Sequence, residues 1–336
     1  MKNVTIVGAG SFGTALATVL DTAGNNVQIW AREEEVVNSI NKDHRNPSYL
    51  SNLKLPESIK AYHDLEQCLR SQDMILFATP SHTLREIAGQ IKPCLDGHEI
   101  LVTVSKGIEN DTFKTMSQIL IEVMDGVTYE DNIGVLYGPS HAEEVAALKP
   151  TTVVAAAYST RTARLIQETF LTPMFRVYIN NDVIGVEIGG SVKNIMAIAA
   201  GVIDGAELGD NVKAALITRG LHEMKRMGSV MGAHPDTFSG LTGMGDLIVT
   251  CTSQHSRNRY VGQQIGLGYK LDEIIKSMNM VAEGIKTTKS VYDWAVKSGI
   301  DMPITKAVYR VLFEDEDPKD ALNTLMTRDP KDEIII

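Results

Sequence analysis

Apolar and polar residues along this chain keep two different rhythms. In the first half, apolar and β-branched runs recur at 26–30, 73–78, 99–104, 133–137 and 151–157, and another enters by about residue 3 and ends at Gly8. Glycine, proline or charge bounds these runs, as expected of buried strands. Helical spacing intervenes at 83–91, 113–123, 141–148 and 162–170, and a helix rich in Glu33, Glu34 and Glu35 follows the second strand. This alternation predicts a mostly parallel, doubly wound α/β sheet. From about Asp182 onward the spacing is helical almost throughout, at 184–201, 211–227, 256–265, 271–278, 284–297 and 305–313, with a last helix at 319–326 after the acidic break at 314–318. The expected division is an α/β unit over 1–185 and an all-α unit over 186–336. No repeat of roughly 20–50 residues and no low-complexity linker is visible, so a helix should join the two.

Length and composition narrow the class. A chain of 336 residues suits two domains and needs no covalent staples. A net charge of −10 argues against nonspecific binding to nucleic acid or to anionic membranes. Cys68, Cys94 and Cys251 form no C-x-x-C pair, which fits free thiols in a reducing compartment. The first strand leaves no room for a signal peptide, and the longest apolar run, 195–203, is too short to span a bilayer. A soluble cytoplasmic protein is expected. No H-E-x-x-H, Cys/His cluster or acidic triad is present, so no metal is expected. Met224, Met227 and Met231 at helical spacing read as core filler.

Residues 4–13, Val-Thr-Ile-Val-Gly-Ala-Gly-Ser-Phe-Gly, end a strand and open a helix. In that context G-x-G-x-x-G reads as a dinucleotide fingerprint rather than as an ordinary strand–helix turn. Gly8 permits the tight turn, and Gly10 lets the backbone approach a pyrophosphate. Gly13 lets the helix pack on the strand, so its N-terminus faces the phosphates. About 20 residues further on, an acid usually holds the 2′-hydroxyl of NAD. Trp30 and Ala31 stand there instead, followed by Arg32. A guanidinium suits a 2′-phosphate, so NADP(H) is the expected cofactor, while Glu33 keeps NAD(H) open.

Lys193 is the leading catalytic candidate. It is the only charged residue between Glu187 and Asp204, in a helix with almost no polar face. It is therefore buried or faces a cleft, and burial would lower its pKa into the range useful for proton transfer. Lys106 follows a strand's carboxyl end, where open α/β sheets bind ligands, although a plain turn lysine would read the same. In Gly138-Pro139-Ser140-His141-Ala142-Glu143, Ser140 is the expected helix N-cap with Glu143 completing a capping box, and that helix start can also face a ligand. Asp246 lies between a glycine-rich turn and an apolar run. It should be largely buried and in need of a partner such as a catalytic lysine. Ser256, Arg257 and Asn258 open a helix and offer a donor set suited to a phosphate dianion; the alternative is Ser256 as a simple cap beside exposed arginines.

Seven motifs then occur in order: Gly-Ala-Gly-Ser-Phe-Gly at 8–13, Ser-Lys-Gly-Ile-Glu at 105–109, Gly-Pro-Ser-His-Ala at 138–142, Gly-Gly-Ser-Val-Lys-Asn at 189–194, Gly-Asp-Leu at 245–247, Ser-Arg-Asn at 256–258 and Val-Ala-Glu-Gly at 281–284. Through them the chain resembles, over nearly its whole length, the bacterial NAD(P)+-dependent glycerol-3-phosphate dehydrogenases. The resemblance implies a Rossmann-type domain followed by a helical domain like the C-terminal one of 6-phosphogluconate dehydrogenase, in a homodimer. It implies reduction of dihydroxyacetone phosphate to sn-glycerol 3-phosphate, which supplies glycerophospholipid synthesis. It also implies that Lys193 donates and accepts the proton, and that Lys106, Gly138, Ser140, Asp246, Ser256, Arg257 and Asn258 contact substrate. The implied cofactor contacts are Ser11, Phe12, Arg32, Tyr49, Lys106, Ala142, Arg257, Val281 and Glu283. Phe12 stands where many members carry Trp. Two other readings are another β-hydroxyacid or 6-phosphogluconate-type dehydrogenase, and a non-catalytic NADP-binding sensor, against which the lone Lys193 speaks.

Overall fold

The computed structural model describes residues 1–278, 281–330 and 332–333; residues 279, 280, 331 and 334–336, all within the expected second unit, lie outside that description. The strands are β1 (Asn3–Val7), β2 (Asn26–Trp30), β3 (Arg45–Asn46), β4 (Leu50–Lys54), β5 (Lys60–Tyr62), β6 (Met74–Phe77), β7 (Ile100–Thr103), β8 (Ile133–Tyr137), β9 (Thr151–Ala157) and β10 (Phe175–Asn180). Eight of them form one sheet in the order β10-β9-β8-β7-β6-β1-β2-β5. Every neighbouring pair is parallel except β8 with β9. β6, β7 and β8 are buried along their whole length, which is why they read as continuous apolar runs. β3 and β4 form a separate antiparallel hairpin.

Helices α1 (Ser11–Thr22), α2 (Glu34–Asp43), α3 (Leu65–Leu69), α4 (Leu84–Ile91), α5 (Met116–Val123), α6 (Ala142–Ala146) and α7 (Thr160–Phe170) belong to this α/β unit. The helix expected over 113–123 starts later. Phe113 adopts a left-handed φ of 59°, and Thr115 caps α5 in a capping box with Gln118. Ser140 is not the cap of α6. His141 holds that position, and the Ser140 hydroxyl turns back to donate to the Gly138 carbonyl at 3.0 Å. The capping box with Glu143 is accordingly not formed.

The second half is helical: α8 (Val183–Gly205), α9 (Asp210–Val230), α10 (Asp246–Thr252), α11 (Arg257–Gly266), α12 (Leu271–Ser277), α13 (Glu283–Ser298), α14 (Pro303–Phe313) and α15 (Pro318–Met326). α8 is its axis. By length and composition α8 could cross a membrane, but it is almost wholly buried inside the protein, wrapped by α9, α10, α11 and α13. α11 lies backbone to backbone against it, because a Cβ at Gly262 would collide with the Ile198 carbonyl. This packing leaves Lys193 no solvated face.

Candidate functional site

The order of strands reverses between β1 and β6, which opens a crevice at their carboxyl ends. Gly8 makes the turn out of β1 at φ 117°, and a Cβ there would lie 2.7 Å from the Ala78 carbonyl beyond β6. A Cβ on Gly10 would meet nothing within 4 Å, so this part of the loop has room for a ligand against its backbone. No side chain caps α1, whose positive end faces the same space. A glycine cradle ahead of an uncapped helix start fits the diphosphate of a dinucleotide.

The β3–β4 hairpin braces that loop. Asn46 is fully buried, and its Nδ2 donates to the Ala9 carbonyl at 2.7 Å and to Thr14 Oγ1 at 2.9 Å. The Ser11 hydroxyl donates to the Tyr49 carbonyl at 3.1 Å, and Phe12 and Tyr49 pack on the same apolar core. At the far end of β2, Arg32 is exposed and paired with Glu33 at 2.9 Å. The two side chains that pull the cofactor reading in opposite directions therefore neutralise each other at the rim.

Across the crevice, buried Lys193 and Asp246 form one cluster with partly buried Lys106. Lys193 Nζ donates to Asp246 Oδ1 at 2.5 Å and to Thr250 Oγ1 at 2.7 Å. Lys106 Nζ donates to Asp246 Oδ2 at 2.8 Å and to the Gly138 carbonyl at 3.1 Å. Thr250 passes its own proton to the Asp246 carbonyl at 2.6 Å, so its oxygen is held toward the amine. Two cations thus share one carboxylate. Burial lowers the Lys193 pKa to about 8; Asp246 opposes that shift, and Lys106 adds to it. Burial pushes Asp246 up, but the two ammonium groups outweigh it and hold the carboxyl below its usual value. An amine poised between charged and neutral near neutral pH can donate and accept a proton.

α11 begins beside this cluster. Ser256 caps it by accepting from the Arg259 amide at 3.2 Å, while Asn258 Oδ1 accepts from the Gly284 amide at 2.8 Å. Asn258 thereby ties the starts of α11 and α13 together next to Asn194, the residue after Lys193. Arg257 is exposed and donates to the Val281 carbonyl at 3.1 Å. Glu283 reaches the α/β unit, accepting from the Ser81 amide at 2.9 Å and from its hydroxyl at 2.5 Å. Ser81 follows β6, so Glu283 stands on the crevice wall; Ala142 opens α6, which packs on α1.

Direct hydrogen bonds therefore join Lys193, Asp246, Lys106, Gly138 and Ser140, and separate bonds join Arg257 to Val281 and Asn258 to the start of α13. Sequence reading missed Asn46, Thr250 and Glu187. Glu187, on α8, is fully buried and accepts from the Ser117 amide and hydroxyl at 2.8 and 2.5 Å. An acid inside an apolar helix was the available signal for Glu187. Thr250 lies one turn past Asp246, and Asn46 had no local signal.

A family model described as NAD-dependent glycerol-3-phosphate dehydrogenase N-terminus matches residues 3–163, and one described as the C-terminus of the same enzyme matches residues 182–323. A glycerol-3-phosphate dehydrogenase of the NAD(P)+ type from Salinibacter ruber is 53% identical over 331 residues, covering 98% of this chain and 96% of the relative. One from Staphylococcus haemolyticus is 48% identical over 335 residues, covering 99% and 100%. The crystal structure of glycerol-3-phosphate dehydrogenase from Coxiella burnetii aligns with a TM-score of 0.92 at 40% identity, covering 97% of this chain and 99% of that one.

Proposed function

The chain belongs to the NAD-dependent glycerol-3-phosphate dehydrogenase family, and from that premise we propose how its residues interconvert dihydroxyacetone phosphate and glycerol 3-phosphate with NAD(P)(H). The observation that carries the reading is Lys193 Nζ, buried and held at 2.5 Å by Asp246 beside the crevice. A reduced nicotinamide, when bound, supplies the hydride for C2 of the ketone. Lys193, as an ammonium, donates to the C2 oxygen, stabilises the charge that builds there and delivers the proton. In the reverse direction its neutral amine takes the hydroxyl proton, so a pKa of about 8 serves both directions. Asp246 and Thr250 hold the amine in line. Lys106 adds positive potential that draws the anionic substrate. Gly138 and Ser140 shape the turn that anchors Lys106, and Ser256, Arg257 and Asn258 take the phosphate and so fix C2.

Gly8, Gly10, Ser11, Phe12 and Gly13 would hold the diphosphate of the cofactor, with Tyr49 and Arg32 on the adenosine side. Lys106, Ala142, Arg257, Val281 and Glu283 would complete the contacts. Arg32 favours NADP(H), while Glu33, paired with it, keeps NAD(H) open. No step needs a metal ion. The functional units are 1–185 and 186–336, and the active species is a cytoplasmic homodimer that supplies glycerophospholipid synthesis. The test is loss of NADPH absorbance when dihydroxyacetone phosphate is added, measured beside 3-hydroxy acids and 6-phosphogluconate with NADP+. Turnover of those carboxylates alone, or cofactor binding without any turnover, would overturn the assignment.

A further inference from the structure

His141 has no role in the scheme above, yet it stands between the two halves of the substrate site. It follows Gly138-Pro139-Ser140, the turn whose carbonyl anchors Lys106. Its ring packs on His255, the residue before Ser256, with centroids 5.9 Å apart. Beyond its burial, the charges that act on it are those of Lys193, Asp246 and Lys106, so it borders the catalytic cluster, and the Val249 backbone also bears on the ring. A backbone carbonyl favours a donor beside it, so the neutral ring keeps its proton on the nitrogen away from Nε2. The other nitrogen of the neutral ring, Nε2, then offers a lone pair. Nε2 is buried and has no hydrogen-bond partner among the described residues, whereas the neighbouring Lys193, Asp246, Lys106 and Thr250 side chains are all engaged. A buried acceptor with nothing to accept is an unstable arrangement that a ligand donor resolves.

Dihydroxyacetone phosphate, as its phosphate dianion, has a single hydrogen-bond donor, the free hydroxymethyl group. We propose that His141 is a specificity-determining residue whose Nε2 accepts a hydrogen bond from that hydroxyl, so that the site prefers a hydroxymethyl ketone phosphate to a methyl ketone phosphate. The same lone pair repels phosphate oxygens and leaves the phosphate to the start of α11. The inference rests on the activity proposed above. The test compares kcat/KM for dihydroxyacetone phosphate and for hydroxyacetone phosphate, which lacks that hydroxyl, in the full-length enzyme and in His141→Leu and His141→Gln. The unaltered enzyme should prefer dihydroxyacetone phosphate. His141→Leu should lower kcat/KM for it by about 30- to 100-fold while changing hydroxyacetone phosphate less than about 3-fold. His141→Gln, whose amide oxygen accepts, should keep part of the preference. Equal losses on both substrates would show a packing role and overturn the inference, as would an unchanged ratio in both variants. NADPH binding by fluorescence separates a misfolded variant from a selective one. Failure of the unaltered enzyme on dihydroxyacetone phosphate would instead remove the activity itself, and this inference with it.

Discussion

Replacing Asp246 with Asn leaves the shape of the cluster nearly intact and removes its only negative charge. In the structure that charge touches two ammonium groups, at 2.5 and 2.8 Å. An opposite charge this close typically supports a charged form by about 1–3 pKa units. Lys193, already near 8 through burial, should therefore fall to about 6 in the variant, because Lys106 would still repel its proton. In the proposed mechanism reduction needs the ammonium. At pH 7.5 the protonated fraction drops from about three quarters to about 3%, a loss of about 25-fold in rate. At pH 5.5 both enzymes would be largely protonated and the deficit from charge should shrink to less than about 2-fold. The assay is the initial rate of dihydroxyacetone phosphate reduction from pH 5.5 to 9 in both proteins, with a thermal melt to confirm folding, since two cations lose their partner. A deficit of the same size at every pH would refute the electrostatic account and leave Asp246 a purely geometric role.

Arg257→Ala should raise KM for dihydroxyacetone phosphate by about 10- to 100-fold with a smaller change in kcat, because the proposed phosphate anchor is lost; an unchanged KM removes the anchor. Arg32→Ala should raise KM for NADPH by about 10-fold and leave that for NADH within about 2-fold, since it removes the proposed 2′-phosphate partner and releases Glu33; equal effects on both cofactors would exclude it from 2′-phosphate recognition. Asn46→Ala should weaken binding of either cofactor by about 10-fold while kcat stays within about 2-fold, because the glycine loop loses two hydrogen bonds, and titration of NADPH fluorescence decides it. Lys106→Met should raise the apparent pKa of the rate profile above about 8, opposite to Asp246→Asn, and a shift in the same direction would contradict the assigned charges.

What could be read from the chain was local. The turn after β1 declares itself through glycine spacing between a strand and a helix. Lys193 declares itself as one charge in a helix that has no polar side, and the structure buries it as that pattern requires. Asp246 was legible as a carboxylate with apolar residues on one side and glycine on the other. The elements that escaped depend on distant partners. Asn46 works through residues 32 and 37 positions away. The bond from Lys106 to Asp246 spans 140 positions. β10 is an edge strand that alternates buried Phe175 and Val177 with exposed Arg176 and Tyr178, so it lacks the continuous apolar run of its neighbours. Ser140 misled because Ser-x-x-Glu is a capping sequence. Gly138, at φ 148°, turns the chain so that the Ser140 hydroxyl meets the Gly138 carbonyl instead.

The pKa of the Lys193 amine is set by both halves of the chain at once. Burial comes from α8 and its helical neighbours, the negative partner from α10, and the competing positive charge from Lys106 after β7. That balance exists only while α8 stays in register with the sheet, and its own side chains hold it there. Glu187 clamps the start of α5, and Ser191, one turn on, donates to the Gly107 carbonyl at 3.2 Å. The Tyr137 ring fills the gap, lying 5.6 Å under Lys106 and packed so closely on Gly190 that a Cβ there would strike it. Moving the sheet away from α8 would take Lys106 from Asp246 and admit water to Lys193. Both changes raise the Lys193 pKa, the first by removing a like charge and the second by restoring hydration. An open form would therefore hold its proton more tightly than the closed one. With the two halves together the pKa lies at about 8, where the proposed mechanism has the amine accept a proton from glycerol 3-phosphate near neutral pH.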